Sequence, residues 1–165
     1  MRSLPILLPA AVILARACPL ASIRQIRTWR LRFVEHDTSD VARPAGWSDV
    51  VDARAVPHGP GRPTDLVGDG FRAVWDAPRH VEGPVRLRGD LVVDPLDGHP
   101  TTGRIHRLRL LTEVVRDERV VALTARDLSA IPKVVDDGRP ADGDTALDVR
   151  TRDRGVLVDL ELGVA

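Results

Sequence analysis

The sequence predicts a mainly β protein, either a small barrel or a two-layer antiparallel sandwich of about seven to eight short strands. Hydrophobic and charged side chains alternate in several short stretches, which is the period of a strand with one buried face. The chain of 165 residues also contains 13 glycines and 13 prolines, so turns are frequent and long helices are not expected.

Residues 1–27 form a separate segment in this prediction, an N-terminal extension or a possible signal segment ahead of a single β-rich domain over residues 28–165. An apolar run, Leu4–Ala15, ends in Ala15-Arg16-Ala17, which has the small-residue pattern of a secretory cleavage site. The run is too short to cross a membrane as a helix. A short apolar arm packed on the domain is the other interpretation. A cytoplasmic location is favoured, and secretion through a signal segment ending near Ala17 is the alternative.

Strands are predicted wherever alternation is clear, and loops wherever glycine, proline and polar residues cluster. The predicted loops are His58–Pro63, Asp94–Thr102 and the polar stretch Asp136–Asp144. The last two strands are expected to pair as a hairpin around Thr151–Gly155. The predicted strands are Trp29–Val34, Val50–Val56, Phe71–Trp75, Val85–Val93, Ile105–Val115, Val120–Thr124, Ala146–Arg150 and Val156–Leu162.

The central strands Val85–Val93 and Ile105–Val115 are expected to pair antiparallel across a loop at Gly98. The register that sets Leu87 opposite Leu108 is favoured, because a shift by one residue would bury an unpaired arginine. In that register four arginines share the outer face and form a candidate anion-binding cluster: Arg86, Arg88, Arg107 and Arg109.

Like charges directly opposite each other destabilise a strand pair, so this cluster needs compensation. Neighbouring carboxylates are one source, and an anionic ligand or an acidic protein partner is the other. The chain has 24 basic and 24 acidic residues and a formal net charge of +0. This balance favours internal carboxylates and argues against nucleic-acid binding by bulk charge. The anion-site hypothesis requires that all four arginines share one exposed face.

The predicted loop Asp94–Thr102 is the best local candidate for a binding site, because it joins two well-patterned strands and loops on rigid strands often carry function. Its candidate residues are His99, Thr101 and Thr102. A plain connection between two strands is the alternative, and it is the favoured one.

Sequence motifs indicate no catalytic residues, no metal site and no cofactor: there is no nucleophile elbow, phosphate-binding loop or paired-histidine zinc motif. The single cysteine, Cys18, excludes an intramolecular disulfide and a cysteine-based zinc site. His36 with Asp37 and Asp40 could form part of a metal site. Asp136–Asp144 has some features of a calcium loop but lacks its order of ligands. Solvent-exposed side chains are the favoured interpretation of both.

Two stretches resemble uncharacterised small β-rich proteins of high-GC Gram-positive bacteria, a domain of unknown function. The first stretch, Val85–Arg109, contains Gly89-Asp90-Leu91 and Pro100–Ile105, and the second is Gly155–Leu160. The resemblance implies a fold of strands and turns, and it assigns no activity, ligand or site residue.

Three functions are consistent with the sequence, and a non-catalytic binding or interaction module is favoured. An oligonucleotide-binding-like barrel using the arginine face would need at least two exposed aromatic rings beside it. An enzyme of unrecognised type would need two histidines to meet an aspartate in one pocket. The aromatic residues are Trp29, Phe33, Trp47, Phe71 and Trp75, and the histidines are His36, His58, His80, His99 and His106.

Overall fold

The computed structural model describes residues 2–37, 41–136, 138 and 149–163. The one helix in this part, α1 (Ala10–Leu14), has five residues. No helix among these residues is long and apolar enough to cross a membrane. The strands are β1 (Ser3–Pro9), β2 (Ile26–Glu35), β3 (Val50–Val56), β4 (Thr64–Val67), β5 (Arg72–Trp75), β6 (Gly83–Val93), β7 (His99–Arg116), β8 (Arg119–Leu128) and β9 (Val149–Glu161).

Eight of these strands close into a barrel in the order β2-β5-β4-β3-β6-β1-β9-β7, and β7 pairs back onto β2. β8 extends the sheet from β7. The prediction of a small, mainly β barrel is confirmed, with nine strands in the described residues. The sheet is mixed rather than purely antiparallel, because β1 runs parallel to β6 and β2 runs parallel to β5.

The N-terminal segment is part of the barrel, so the predicted domain boundary at residue 28 is wrong. β1 pairs with β9 along its whole length, Ser3–Pro9. It is buried on both faces, since Ile6 and Leu8 pack in the main core and Leu7 packs in a second cluster. The sequence of a strand that is buried on both faces is a continuous apolar run. Such a run has the same pattern as a signal segment or an apolar arm.

Two hydrophobic clusters hold the sheet together. The smaller lies on the other side of β1 from the main core, and its buried members are Leu7, Trp47, Leu111 and Leu157. β9 contributes to both clusters, so Val156–Leu160 is buried throughout. The larger cluster fills the barrel with aliphatic side chains and four of the five aromatic rings, which are Trp29, Phe33, Phe71 and Trp75.

The predicted central hairpin is wrong, because β2 lies between β6 and β7. Leu31 of β2 pairs both with Val93 of β6 and with His99 of β7. The loop that joins β6 to β7 passes close to β2 at Gly98, where a Cβ atom would lie 2.6 Å from the backbone nitrogen of Leu31. A register deduced from two strands fails here, since a third strand with the same alternation separates them.

The predicted C-terminal hairpin is also wrong. The residues expected to form its turn, Thr151–Gly155, lie inside β9 and pair with β7. Gly155 has a φ of 154°, and a Cβ atom there would lie 2.1 Å from the carbonyl oxygen of Leu8. The glycine therefore permits the close approach of β1 rather than a turn. Residues 146–148 of the predicted first arm lie outside the described residues.

Because β1 is a barrel strand, truncating a core side chain on it should destabilise the whole fold. We expect Ile6→Ala to lower the free energy of unfolding by about 2–5 kcal/mol. The control Leu96→Ala removes the same number of carbon atoms from a side chain that is 87% exposed, and should change it by less than about 0.5 kcal/mol. Urea unfolding followed by tryptophan fluorescence measures both. Equal, small losses would show that β1 does not belong to the folded barrel.

Candidate functional site

The four arginines of the predicted anion-binding cluster do not share an exposed face, so that prediction is wrong. Arg86 and Arg88 lie on β6 and are paired with carboxylates at 3.4 and 3.5 Å. Arg107 lies on β7, 2.7 Å from a carboxylate oxygen of Asp127. Arg109, also on β7, is only 3% exposed. Internal carboxylates therefore compensate these charges.

Arg109 is buried beneath the segment that leads into β3. Its Nη1 donates to the carbonyl oxygen of Ala45 at 2.6 Å, and its Nη2 donates to Asp159 at 3.2 Å. Burial raises the pKa of Asp159, and the attraction to Arg109 only partly opposes this. The alternation of β7 could not indicate this environment, because the covering segment comes from a distant part of the chain.

The three candidate loop residues lie in a strand, since β7 begins at His99. The Thr102 hydroxyl shares a 2.7 Å hydrogen bond with the Thr28 hydroxyl of β2. Thr101 is buried, and its Oγ1 accepts a 3.1 Å hydrogen bond from the backbone N–H of Arg72. These three positions therefore belong to a strand and not to a loop, and both hydroxyls serve contacts between strands.

His99 instead reaches a buried aspartate together with a second histidine. Asp65 of β4 is 4% exposed, and it points away from the core because its neighbour Leu66 points into it. His99 Nε2 lies 2.7 Å from Oδ1 of Asp65, and His58 Nε2 lies 2.9 Å from Oδ2. Arg72 Nη2 donates to the same Oδ2. We call these four side chains the Asp65 cluster.

Hydrogen bonds keep Asp65 ionised despite its burial. Burial alone would raise the pKa of this carboxyl, but donors from Arg72, His58 and His99 outweigh burial and lower the pKa to about 2. A carboxylate only accepts hydrogen bonds, so each imidazole presents Nε2–H to it and keeps its Nδ1 lone pair when neutral. Both rings are partly exposed. The Asp65 cluster can therefore offer two imidazole bases on one surface.

His36 belongs to a different network, above Trp47. Arg43 donates to Nε2 of His36 at 2.7 Å and to Asp90 at 2.6 Å, and its guanidinium carbon lies 4.0 Å from the centre of the Trp47 ring. Asp40 lies outside the described residues, as do three aspartates of the predicted calcium-like stretch. Within the part of the chain that is described, no three metal-ligating side chains are grouped to hold an ion.

All five aromatic side chains are buried, each with 6% or less of its surface exposed: Trp29, Phe33, Trp47, Phe71 and Trp75. Non-specific binding of single strands relies on stacking bases against exposed rings. The oligonucleotide-binding alternative therefore has no ring on which a base could stack.

A groove beside α1 is the strongest candidate for a ligand site. It consists of two cavities, of about 270 and 250 Å³, that are both bounded by Cys18, and we call them together the Cys18 groove. Each is slightly smaller than the roughly 300–1,000 Å³ of usual ligand sites. The first cavity is also lined by Ile13, Arg16, Leu20, Ile131 and Lys133, and the second by Ala17, Pro19, Arg27, Thr28, Trp29, Arg30, Val93, Pro95 and Pro100.

The end of α1 places Arg16 in this groove. The Ala17 N–H bonds to the Val12 carbonyl at 3.1 Å and the Arg16 N–H bonds to the Ile13 carbonyl at 3.0 Å, which are the hydrogen bonds of a Schellman motif. Arg16 takes the left-handed conformation of this motif, with a φ of 52°, where glycine is the usual residue. The chain therefore keeps an arginine at a position that favours glycine.

A larger cleft of about 530 Å³ lies beside β2 and β5 and is lined by two arginines and three carboxylates. The Cys18 groove differs from this cleft in charge. The groove contains four basic side chains and no acidic one: Arg16, Arg27, Arg30 and Lys133. None of the four forms an ion pair with any residue in the described ranges. A negatively charged ligand would neutralise this site.

Cys18 lines both cavities and is half-buried. Burial raises the pKa of its thiol, so the thiol is protonated near neutral pH and is a weak nucleophile. Because Cys18 is the only cysteine in the chain, its rate of alkylation reports directly on access to the groove.

No sequence motif indicates either the Cys18 groove or the Asp65 cluster, because each site combines residues that are far apart in the chain. The Cys18 groove is lined by separate parts of the chain, and Asp65 and His99 are 34 residues apart. Composition supplies the one usable signal, since Lys133 is the single lysine in an arginine-rich chain.

Comparisons with protein-family models, curated proteins and solved structures give no match to this chain. Function must therefore be inferred from the geometry and charge of these two sites.

The ionised Asp65 should make stability depend on pH in acid. The pKa of Asp65 is about 2 when folded, against an ordinary value of 3.8. Its contribution is therefore fully present above pH 4 and is lost as the pH falls through 2, by about 2 kcal/mol in total. We expect Asp65→Asn to remove this part of the decline, as measured by urea unfolding at each pH.

His58→Ala and His99→Ala test the cause of that shift. Each variant removes a donor to Asp65 and so raises its folded-state pKa, which should make the acid decline smaller and end it at a higher pH than in the wild type. His106→Ala is the matched control, because this exposed histidine has no contact with Asp65. An Asp65→Asn profile parallel to the wild type between pH 4 and 2 would contradict the assignment.

Proposed function

We propose that this protein is a non-catalytic binding module that holds a hydrophobic anion in the Cys18 groove. The observation that carries the proposal is the charge of the groove, where four basic side chains without a described ion-pair partner stand among apolar walls. A ligand with an apolar body and a negative group matches both features.

Electrostatics supports a negative ligand. Like charges that line one site repel each other. A bound anion offsets the repulsion and accepts charge-assisted hydrogen bonds from guanidinium and ammonium groups. A cationic ligand of the same shape would add to the repulsion.

Hydrophobic burial supports an apolar body. Ile13, Leu20 and Ile131 line the first cavity, and Val93 and Pro95 line the second. Covering such walls contributes about 25 cal/mol per Å² of apolar surface removed from water. A small inorganic anion would leave this surface in water, so the groove favours an amphipathic molecule.

The test compares two ligands with the same alkyl chain and opposite charge, dodecanoate and dodecyltrimethylammonium. Below its micelle concentration, dodecanoate should protect Cys18 from N-ethylmaleimide, because it fills the groove. At ten times its Kd it should slow alkylation about tenfold, as measured by mass spectrometry of the intact chain. The cationic amphiphile should not protect.

Replacing the four basic groove residues with glutamine should weaken dodecanoate binding by at least about tenfold. The control replaces four exposed arginines that lie outside the groove and have no described carboxylate partner: Arg54, Arg62, Arg116 and Arg126. Both variants change the net charge equally. Equal loss in the two, or equal protection by both amphiphiles, would reject the proposal.

A second candidate function, catalysis, is favoured by one observation, the two histidines that meet Asp65. Each imidazole is oriented by the carboxylate and keeps an Nδ1 lone pair, as a general base or nucleophile requires. The enzyme hypothesis requires two histidines to contact an aspartate in one pocket, and the Asp65 cluster provides the two histidines and the aspartate. The groove and the 530 Å³ cleft are lined by other residues, so this candidate ranks second.

Its test is the reaction with p-nitrophenyl acetate, which imidazole bases attack. If the Asp65 cluster is catalytic, the double variant His58→Gln/His99→Gln should release p-nitrophenolate at least about tenfold more slowly than the wild type. The matched control, His80→Gln/His106→Gln, removes two exposed histidines and should keep the rate. Equal losses of rate in both double variants would show that the reaction depends on exposed histidines in general and not on the Asp65 cluster.

A further inference from the structure

Two short segments, 20–24 and 129–134, lie side by side at the surface of the barrel. One antiparallel bridge joins them, and the Ile131 N–H donates to the Ala21 carbonyl oxygen at 2.8 Å. Ala21 and Ile131 are buried in the main core. The paired segments are therefore anchored by these two residues, and the residues that flank them lie at the surface.

Three apolar side chains of these segments are exposed to solvent: Leu20 by 46%, Ile23 by 37% and Val134 by 74%. A single exposed apolar side chain is common on a soluble protein and needs no explanation. Here three of them belong to two segments that pair with each other. Contact with an apolar partner would remove this surface from water.

Basic side chains stand next to the apolar ones. Arg24 follows Ile23 in the chain, Lys133 precedes Val134, and Arg16 lines the same cavity as Leu20 and Lys133. We call these six side chains together the Leu20 surface.

The positive charge of the Leu20 surface has no internal compensation. Arg16, Arg24 and Lys133 are exposed, and none of them forms an ion pair with a residue in the described ranges. The first acidic residue of the chain is Glu35, and residues 128–135 contain none. The contributing segments therefore carry positive charge only.

An anionic lipid bilayer matches both properties of this surface. Lysine and arginine are attracted to the negative potential of acidic headgroups, and apolar side chains among them enter the boundary between headgroups and acyl chains. An acidic protein would match the charge, but it would need a fitted pocket for each protruding apolar side chain. A fluid bilayer accepts these side chains in any arrangement.

We propose that the Leu20 surface docks on an anionic lipid bilayer. Its three basic side chains contact the headgroups, and its three apolar side chains enter the interface. This interaction goes beyond the ligand of the Cys18 groove, because Ile23, Arg24 and Val134 do not line that groove.

Sedimentation of the full chain with vesicles tests the proposal. The protein should bind vesicles of phosphatidylcholine mixed with phosphatidylserine at least about tenfold more tightly than vesicles of phosphatidylcholine alone. High salt should remove most of this difference, because it screens the attraction between exposed charges.

A variant outside the Cys18 groove locates the docking surface. Ile23→Ser/Arg24→Gln/Val134→Ser should weaken binding to the anionic vesicles at least about tenfold, of which the lost arginine alone accounts for about fivefold. It should leave the protection of Cys18 by dodecanoate unchanged. The matched control makes the same kinds of change at exposed residues elsewhere, Val67→Ser/Arg62→Gln/Val121→Ser, and should bind as the wild type does.

Alkylation of Cys18 gives a second measurement that needs no variant. Cys18 lines the same cavity as Arg16, Leu20 and Lys133, so a docked bilayer should cover it. Anionic vesicles should slow its reaction with a charged maleimide about tenfold when about nine-tenths of the protein is bound. Neutral vesicles should not slow the reaction.

The outcomes separate docking from the proposed function. Equal binding to both kinds of vesicle, no binding to either, or equal losses in the variant and its control would reject docking. Protection of Cys18 by poly-L-glutamate but not by anionic vesicles would assign the surface to an acidic protein and also reject docking. Protection by dodecanoate in the absence of vesicles tests the groove alone, so either proposal can fail without the other.

Discussion

The fold depends on the position of β2, which pairs with β5, β6 and β7. Pairing with β7 closes the barrel, and pairing with β6 separates two strands that follow each other in the chain. Both candidate sites result from this insertion. It brings His99, at the start of β7, within hydrogen-bond distance of Asp65, and it sets Arg27, Trp29 and Arg30 along the second cavity of the Cys18 groove.

Charge compensation explains how an arginine-rich chain with a net charge of +0 builds a barrel. Exposed pairs such as Arg107–Asp127 contribute little to stability individually. The buried pair Arg109–Asp159 must offset its desolvation, and burial still raises the pKa of Asp159. The Cys18 groove differs from these ion pairs, because it is lined by four basic side chains and no carboxylate. Folding therefore leaves the positive charge of the groove unneutralised.

The two sites differ in whether other side chains of the fold supply partners for their charged groups. Asp65 accepts hydrogen bonds from three side chains, so the carboxylate at the centre of its cluster is complete and supports the fold. The four basic side chains of the Cys18 groove have no described carboxylate partner, and no carboxylate lines the groove. A negatively charged ligand would supply the partner that the described residues do not, which is why the Cys18 groove ranks first.

The sequence by itself determined the class of fold and most strand positions, because period-two alternation is a local property of a strand with one buried face. It misassigned β1, because a strand buried on both faces has no alternation to detect. It misassigned Thr151–Gly155 as well, because the sequence does not distinguish a turn glycine from one that permits close packing.

Only the tertiary structure decided which strands are neighbours and where the sites lie. Strand order is set by contacts between residues far apart in the chain, and a third strand with the same pattern separated β6 from β7 without any local signal. The burial of Arg109 and the meeting of His58 with His99 at Asp65 have the same cause. The environment of a side chain is supplied by segments that its own neighbours in sequence do not specify.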